Sequence, residues 1–573
     1  MKYLMASQLD LRYHGKIPSK YVKLWNHIAC ETPKPFTDFI DSISKQHAKN
    51  IDWWVSSSAS RNTLASPLFH YCCCIALLQE LIRKKEPVSE ITTDSRAFKK
   101  IIEDYLAGQG IKARVTLARL PVKQRLKELV RPIYTILGIP LKQLLLFFAA
   151  KLTRSLRKPL PSEPMTLIDT FVMPGYVEKD RYCPGMLDAL SEEEKQRVWF
   201  VPHLYGFRPW QYLSVVKRLR KTERNFILKD DFLKFGDYWC LWQHLFQVRK
   251  LQIKPSPFRG VDMSCLMREE LTGFRGVGSS YIPLLNYCFA KRLKEAGVKL
   301  RLVIDWFENQ NIDRGWNVGF RRFFPDVKTM GYQGFIVSAH YLCMFPTEEE
   351  EDNKVIPHKM AVIGKGLAQS ARRFCPELDV CVAPAFRFQH VWQERKCFPA
   401  VDGYTVLVAL PIMINEAVYL LKLLVHAVNE KTDNIRFRIK PHPTASQSQI
   451  QGAFGAAWPE RFEFVAGDFN DCVEKSNLLI SSASSACMET LAKGIPVIVV
   501  GNNSGLTHNP IPETIISDIW RLCYTPQEIT DAIQFYKTRS SEKIKEHEEA
   551  GRRIREEYFE PVTREGVREF LSL

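Results

Sequence analysis

Two doubly wound α/β domains facing each other across a cleft are what this sequence predicts. Short apolar runs alternate with helical patterns along most of the chain, as expected for parallel strands with helices on both faces of each sheet. An acidic run near the middle, Thr347 to Lys354, reads as a solvated linker between halves of similar size. The length of 573 residues exceeds one domain of roughly 100–200 residues.

In the first half, Ile51 to Val55 reads as a strand and Leu64 to Ile82 as a long apolar helix. Strand Val88 to Thr92, helix Ser95 to Leu106 and strand Ile111 to Leu117 follow. The pattern resumes with strands at Thr166 to Val172, Val198 to Pro202, Phe226 to Lys229 and Lys299 to Ile304. In the second half the expected strands are Met360 to Ile363, Tyr404 to Leu410, Ile435 to Ile439, Phe462 to Val465, Leu478 to Ser481, Pro496 to Val500 and Arg521 to Tyr524. Helices are expected at Asn415 to Asn429, Ser485 to Lys493, Ser541 to Tyr558 and Thr563 to Leu571. The expected division is residues 1–346 for a first domain with a basic insertion near 121–160, 347–358 for the linker, 359–540 for a nucleotide-binding domain and 541–573 for terminal helices.

Composition is ordinary for a globular protein, with 46% hydrophobic and 25% charged residues. The 15 cysteines carry no repeated C-x-x-C spacing, so neither a zinc site nor a disulfide framework is expected. Met1 to Asp10 lacks a charged-then-apolar signal pattern, so a cytoplasmic location is expected. Net charge is +17, which suits acidic partners. Between Lys123 and Lys158 stand nine Lys/Arg and one acid, Glu128. The apolar stretch Ile133 to Leu152 lies inside, but its longest unbroken run, Leu144 to Ala150, is far short of the ~20 residues that cross a bilayer. Such a segment suits the surface of an anionic membrane. No RNA-binding signature accompanies the charge, and nucleic acid is not an expected partner.

Two motifs carry candidate chemistry. Strand Ile435 to Ile439 runs into Lys440-Pro441-His442-Pro443, where the two prolines fix φ and restrict the residues before them. His442 is thereby held at a strand's carboxyl end, suited to donating a hydrogen bond or a proton to a leaving phosphate, with Lys440 adding charge. The second motif follows strand Leu478 to Ser481 and holds Ser481, Ser482, Ser484 and Ser485 ahead of a helix. A helix N-terminus favours anions, and the hydroxyls add donors. Glu489, one turn after Ser485 on the same face, suits two ribose hydroxyls. Gly494 and Pro496 stop the helix.

The pairing of Lys440-Pro-His442-Pro443 with the serine cluster resembles bacterial GT-B-fold transferases that use CMP-activated sugars, among them the sialyltransferases and the Kdo and nonulosonate transferases. Asp52 to Ser57, Asp305 to Gln310 and Gly331 to Gly334 are similar to segments of bacterial surface-carbohydrate-biosynthesis proteins of this length. The resemblance implies a GT-B fold, a CMP-sugar donor, no cofactor and no metal, and a glycan or lipid-linked glycan acceptor at the inner face of a bacterial membrane. It implies that His442 meets CMP and its phosphate, and that a pair among the four serines holds that phosphate. The Asp/Glu-Asp/Glu-Gly base motif of the sialyltransferases is not found. Glu308 or Asp305, after the apolar strand Lys299 to Ile304, is then the expected catalytic carboxylate, with Asp52 and Asp169 as further candidates. Arg314, Arg321 and Arg322 suit an acidic sugar's carboxylate. His203 reads as a core histidine. CDP-polyol phosphotransfer, UDP-sugar epimerisation and a non-catalytic scaffold are the alternatives.

Overall fold

The computed structural model describes residues 7–13, 15–119, 121–393, 403–428, 432, 434–503 and 505–573. The first residues of the Met1 to Asp10 stretch and the predicted helix end at Asn429 lie outside the described residues. Three parallel sheets organise the chain. A three-stranded sheet, in order β1-β2-β3, holds Ser7–Asp10, Val88–Thr93 and Arg114–Leu117. The predicted strands at Val88 and Ile111 therefore form a sheet of their own, completed by the chain's first strand.

Of the next eight strands six form one sheet, while Pro257–Phe258 and Val261–Asp262 pair separately as a small antiparallel ladder. The six are β4 (Met165–Val172), β5 (Val198–Leu204), β6 (Leu300–Trp306), β7 (Lys328–Gln333), β8 (Lys359–Val362) and β9 (Val380–Val382). Their spatial order is β5-β4-β6-β7-β8-β9, parallel throughout. The last six strands are β10 (Tyr404–Ala409), β11 (Ile435–Lys440), β12 (Phe462–Phe464), β13 (Leu478–Ser481), β14 (Val497–Val500) and β15 (Trp520–Cys523). They run in the order β12-β11-β10-β13-β14-β15, again parallel. Strands such as β4, β13 and β14 are buried almost end to end, as parallel strands covered on both faces require. Each six-stranded sheet reverses its strand order once: between β4 and β6 in the first domain's sheet, and between β10 and β13 in the second domain's. Crevices for ligands open at the carboxyl ends of such strand pairs.

Three expectations are corrected. Ile51 to Val55 is not a strand: Ile51–Trp54 is a short helix capped by Asn50. Trp53 and Trp54 are both buried, their indoles donating to Ser44 Oγ and the Ala48 carbonyl, whereas strand alternation would expose one of them. Phe226 makes a single bridge to Phe200 before a 3-10 turn, so Phe226 to Lys229 is no strand. The acidic run is no linker. Thr347 and Glu350 form a capping box that starts helix Glu348–Asp352, and Glu350 is 1% exposed. Strands β8 and β9 follow it in the six-stranded sheet of β4 to β7, so the first domain extends through Val382.

Glu350 is the centre of a buried ion cluster. Its Oε1 meets the guanidiniums of Arg61 (2.9 Å) and Arg314, and its Oε2 accepts from Asn309 Nδ2 (2.8 Å) and Thr347 N (3.1 Å). Burial pushes this carboxyl up, but Arg314, Arg61 and the Asn309 amide outweigh it and hold it below the usual range.

The terminal helices tie the two large domains together. Helix Ser541–Tyr558 docks on the second domain through Gly551, where a Cβ would lie 2.3 Å from Gly494 N. Gly494 itself takes φ +73° at the end of helix Ala486–Leu491, as its predicted helix-stop role requires. The chain then returns to the first domain, where Glu560 N donates to the Ile363 carbonyl and Arg301 to that of Leu571. On the other side, Thr507 N donates to Asn26 Oδ1, and His340 and His508 meet edge to face at 6.3 Å.

Replacing Glu350 by leucine leaves two buried guanidiniums without a counter-charge, a loss of about 3–5 kcal/mol. A large drop in melting temperature and soluble yield is expected; a wild-type melt would remove the cluster from its structural role. His508 supplies a pH dependence. Burial and His340 push its pKa down to about 4 from 6.5, so the unfolded chain takes up a proton that the folded chain refuses. Stability is fully present above pH 6.5 and falls as the pH drops toward 4. Thermal melts across that window should steepen this loss in the wild type and flatten it in His508→Leu.

Candidate functional site

At the second domain's switch point the serines divide their work. Ser481 is fully buried, and its Oγ donates to the Ala409 carbonyl (2.8 Å), which pins the end of β13 to the end of β10. It is not free for a ligand. Ser484 Oγ accepts from Ala486 N, and Ser485 Oγ donates to Glu489 at 3.5 Å. Ser482 Oγ is buried with no protein partner among the described residues, which leaves an uncompensated hydroxyl at the crevice. Helix Ala486–Leu491 is only six residues long, so its dipole is a small source of positive potential.

The charge comes from elsewhere. Lys440 ends β11 and its ammonium is held by the Gly467 carbonyl. His442 Nδ1 accepts from Thr444 N (3.2 Å) and meets Thr444 Oγ1 at 2.7 Å. That pairing assigns the ring proton to Nε2, so the neutral imidazole presents an N–H donor. Burial and the nearby Arg181 guanidinium depress the His442 pKa. Arg181 belongs to the loop after β4, in the other domain, which places His442 on the face opposite that domain.

On the first domain's side, Glu308 follows β6 at its switch point. It is half-buried and accepts from Trp306 Nε1 (3.1 Å), Gln310 Nε2 (2.5 Å) and Tyr341 OH (3.4 Å). Burial raises its pKa, partly offset by those three donors and by Arg387. The next residue, Asn309, adopts a left-handed conformation at φ 51°, held by the hydrogen bond to Glu350.

Other predicted carboxylates are withdrawn from the cleft. Asp305 is 1% exposed and accepts from Asn317 Nδ2 (2.6 Å); burial and Asp313 push its pKa well up. It shares with Asp169 a cavity of about 10 Å³ beneath Trp306, room for one water and no sugar. Asp169 pairs with His203 (2.5 Å), which is buried as expected and also meets Lys229 at 3.1 Å. Asp52 pairs with His244 (2.6 Å). Arg314 belongs to the Glu350 cluster and Arg321 pairs with Glu351 (3.2 Å), so neither reaches a substrate. Arg322 lies against Phe323 of its own helix and Tyr287 of the helix Tyr281–Glu295.

Sequence reasoning missed three groups. The 3-10 stretch Phe386–Trp392, which leads out of the first domain, carries Arg387 and His390. Arg387 lies over Trp306 (5.9 Å) and close enough to Glu308 to act on its charge. His390 Nε2 binds Glu489 Oε2 at 2.9 Å, across 99 residues of chain. Arg181, the third, sits on Tyr176 and donates to Met173 Sδ. No local motif marks any of them, because each works by reaching the other domain or its edge.

No protein-family model and no curated protein matches this chain. Solved structures with a similar course include MnaA of S. aureus with UDP, at 11% identity, TM-score 0.42, covering 72% of this chain and 98% of that one. The calicheamicin glycosyltransferase CalG4 matches at 13% identity and TM-score 0.39, over 68% and 95%. MurG of Acinetobacter baumannii matches at 11% and 0.38, over 71% and 99%. The strand orders themselves define two doubly wound domains, each with one switch point.

Selective 15N-histidine labelling checks the His442 geometry. The expected result is an Nε2–H tautomer at pH 7 and a midpoint below 6.5, with Thr444→Val weakening the tautomer preference. A midpoint at or above 6.5 contradicts the geometry.

Proposed function

We propose that the chain is a glycosyltransferase that takes a 2-keto sugar acid from a CMP donor and adds it to a bacterial surface glycan. One observation carries this reading. What supports it is that Lys440, His442 and Ser482 stand at the carboxyl ends of β11 and β13, that Arg181 of the first domain approaches His442, and that Glu308 follows β6 at the first domain's own switch point.

In the proposed reaction the bond between anomeric carbon and phosphate oxygen breaks, and both electrons go to the phosphate. Lys440, the Nε2–H of His442 and Ser482 stabilise the growing negative charge. His442 is neutral at pH 7, so it serves as a hydrogen-bond donor and not as a second cation. Glu308 takes the proton of the acceptor hydroxyl as that oxygen attacks; in a retaining reaction it attacks the carbon itself. Its raised pKa makes it a better base than an exposed carboxylate. Arg387, and not the buried Arg314 or Arg321, is positioned for a sugar carboxylate near Glu308. Glu489, oriented by His390, takes the ribose hydroxyls. One phosphate against these donors needs no divalent metal. A UDP-sugar epimerase would use the same opposed groups on a free donor, without an acceptor.

A thermal-shift panel of CMP, CDP, CDP-glycerol, UDP and GDP, with and without Mg²⁺, separates the readings. Stabilisation by CMP at saturation, about 2.7 kcal/mol at a hundredfold excess over Kd, is expected without Mg²⁺. Stabilisation by UDP alone favours the epimerase, and by CDP-glycerol alone a polyol-phosphate transferase. His442→Ala should cost about 10²–10³ in kcat at an unchanged melting temperature. Glu308→Gln should abolish transfer while CMP binding persists.

A further inference from the structure

The basic insertion is one long helical arm. Helix Val122–Ile133, a π turn at Tyr134–Gly138 and helix Ile139–Leu152 run on without a break. Leu126, Ile133, Leu137, Leu141, Phe148 and Leu152 recur at spacings of four and seven and are all exposed, Leu152 at 74%. That spacing keeps them on one side, an apolar stripe of about 39 Å at 1.5 Å per residue.

The opposite side is seated on the protein. Thr135 Oγ1 donates to the Phe274 carbonyl, and Pro140, Ala149 and Ala150 are buried. Pro140 has no N–H for the Ile136 carbonyl one turn back, and Trp242 Nε1 donates to that carbonyl instead (2.9 Å). Contrary to the sequence expectation, Gln124–Leu152 is long and apolar enough to cross a membrane by length and composition, but these contacts fix the arm to helix Phe235–Lys250, and it lies along the domain. Helix Phe235–Lys250 extends the surface: Phe235, Trp239 and Phe246 form an exposed stripe beside Trp242, with Trp239 61% exposed. Trp210, 72% exposed, stands on the 3-10 turn next to the arm.

We infer that this face docks on an anionic lipid bilayer, with the arm lying in the interface and the tryptophans at headgroup depth. An apolar stripe, flanking cations and exposed indoles form the combination that interfacial helices use. Charge selects the occupant. Arg125, Lys127 and Arg154 are exposed on the arm and the turn after it, while the one acid, Glu128, is paired with Arg131; this excess of cations would repel a second copy of the same face and attract acidic headgroups. A nucleic acid would answer the cations but not the stripe.

The test is co-sedimentation of the full chain with phosphatidylcholine vesicles, with and without phosphatidylglycerol. Binding should require phosphatidylglycerol, weaken in high salt, and fall by about tenfold in L137E/L141E at an unchanged melting temperature, as buried apolar area sets affinity. Should that variant fold poorly, Trp fluorescence of the wild type with brominated lipid gives a second reading, with quenching expected. Wild type remaining in the supernatant, variant binding equal to wild type, absence of quenching, or a wild-type dimer that L137E/L141E dissolves would each overturn the inference.

Discussion

Glu350 carries a full charge where almost no water reaches, and the first domain is organised around it. Moving a carboxylate and two guanidiniums out of water costs several kcal/mol per ion. The cost is offset only because every partner is close: Arg61 and Arg314 on one oxygen, Asn309 and the Thr347 amide on the other. Each partner comes from a different part of the domain. Arg61, itself in a left-handed conformation, ends the short helix Ser57–Ser60, and also donates to the Leu342 and Phe345 carbonyls. Arg314 lies on the helix that follows β6. Asn309 belongs to the turn that carries Glu308. One buried charge therefore fixes the N-terminal region, the helix after the switch point and the turn of the candidate base.

That constraint reaches the chemistry through Asn309. A non-glycine residue at φ 51° costs energy and persists only when its surroundings hold it there. The hydrogen bond to Glu350 does so, and Glu308 is thereby presented to three donors and to Arg387. The same region then hands the chain to the second domain through Phe386–Trp392. Arg387 stays with Glu308 while His390 takes hold of Glu489, so one short stretch spans from one half of the cleft to the other.

The strand pattern was legible because buried parallel strands are short, continuous apolar runs. Every predicted strand from Tyr404 onward is present within a residue or two, with both motifs at strand ends. Ile51 to Val55 failed because a short apolar run has no period of its own, and paired tryptophans suit a helix end as well as a strand. The acidic run failed for a different reason. Composition counts Glu350 with its exposed neighbours, while its fate was decided by arginines 289 and 36 residues away. Arg314 and Arg321 were misassigned by the same blindness, since a guanidinium's partner is a tertiary fact. Ser481 was counted with its neighbours because hydroxyls in a row look alike until one of them is turned into the sheet.

The site's positive charge is therefore assembled, not local. A six-residue helix and a neutral imidazole supply donors but little net charge, and Lys440 is partly engaged by Gly467. The remaining cations, Arg181 and Arg387, come from the loop after β4 and from the segment joining the domains. An anion at the Lys440–His442 turn meets its full complement of charge only when the first domain's loop lies over it. Burial first, and then the Arg181 guanidinium, depress the pKa of His442, so the loop after β4 and this turn lie near one another. On the proposed reading, a phosphate between Arg181 and His442 would be drawn to both, which would give the donor a means to bring the two domains together.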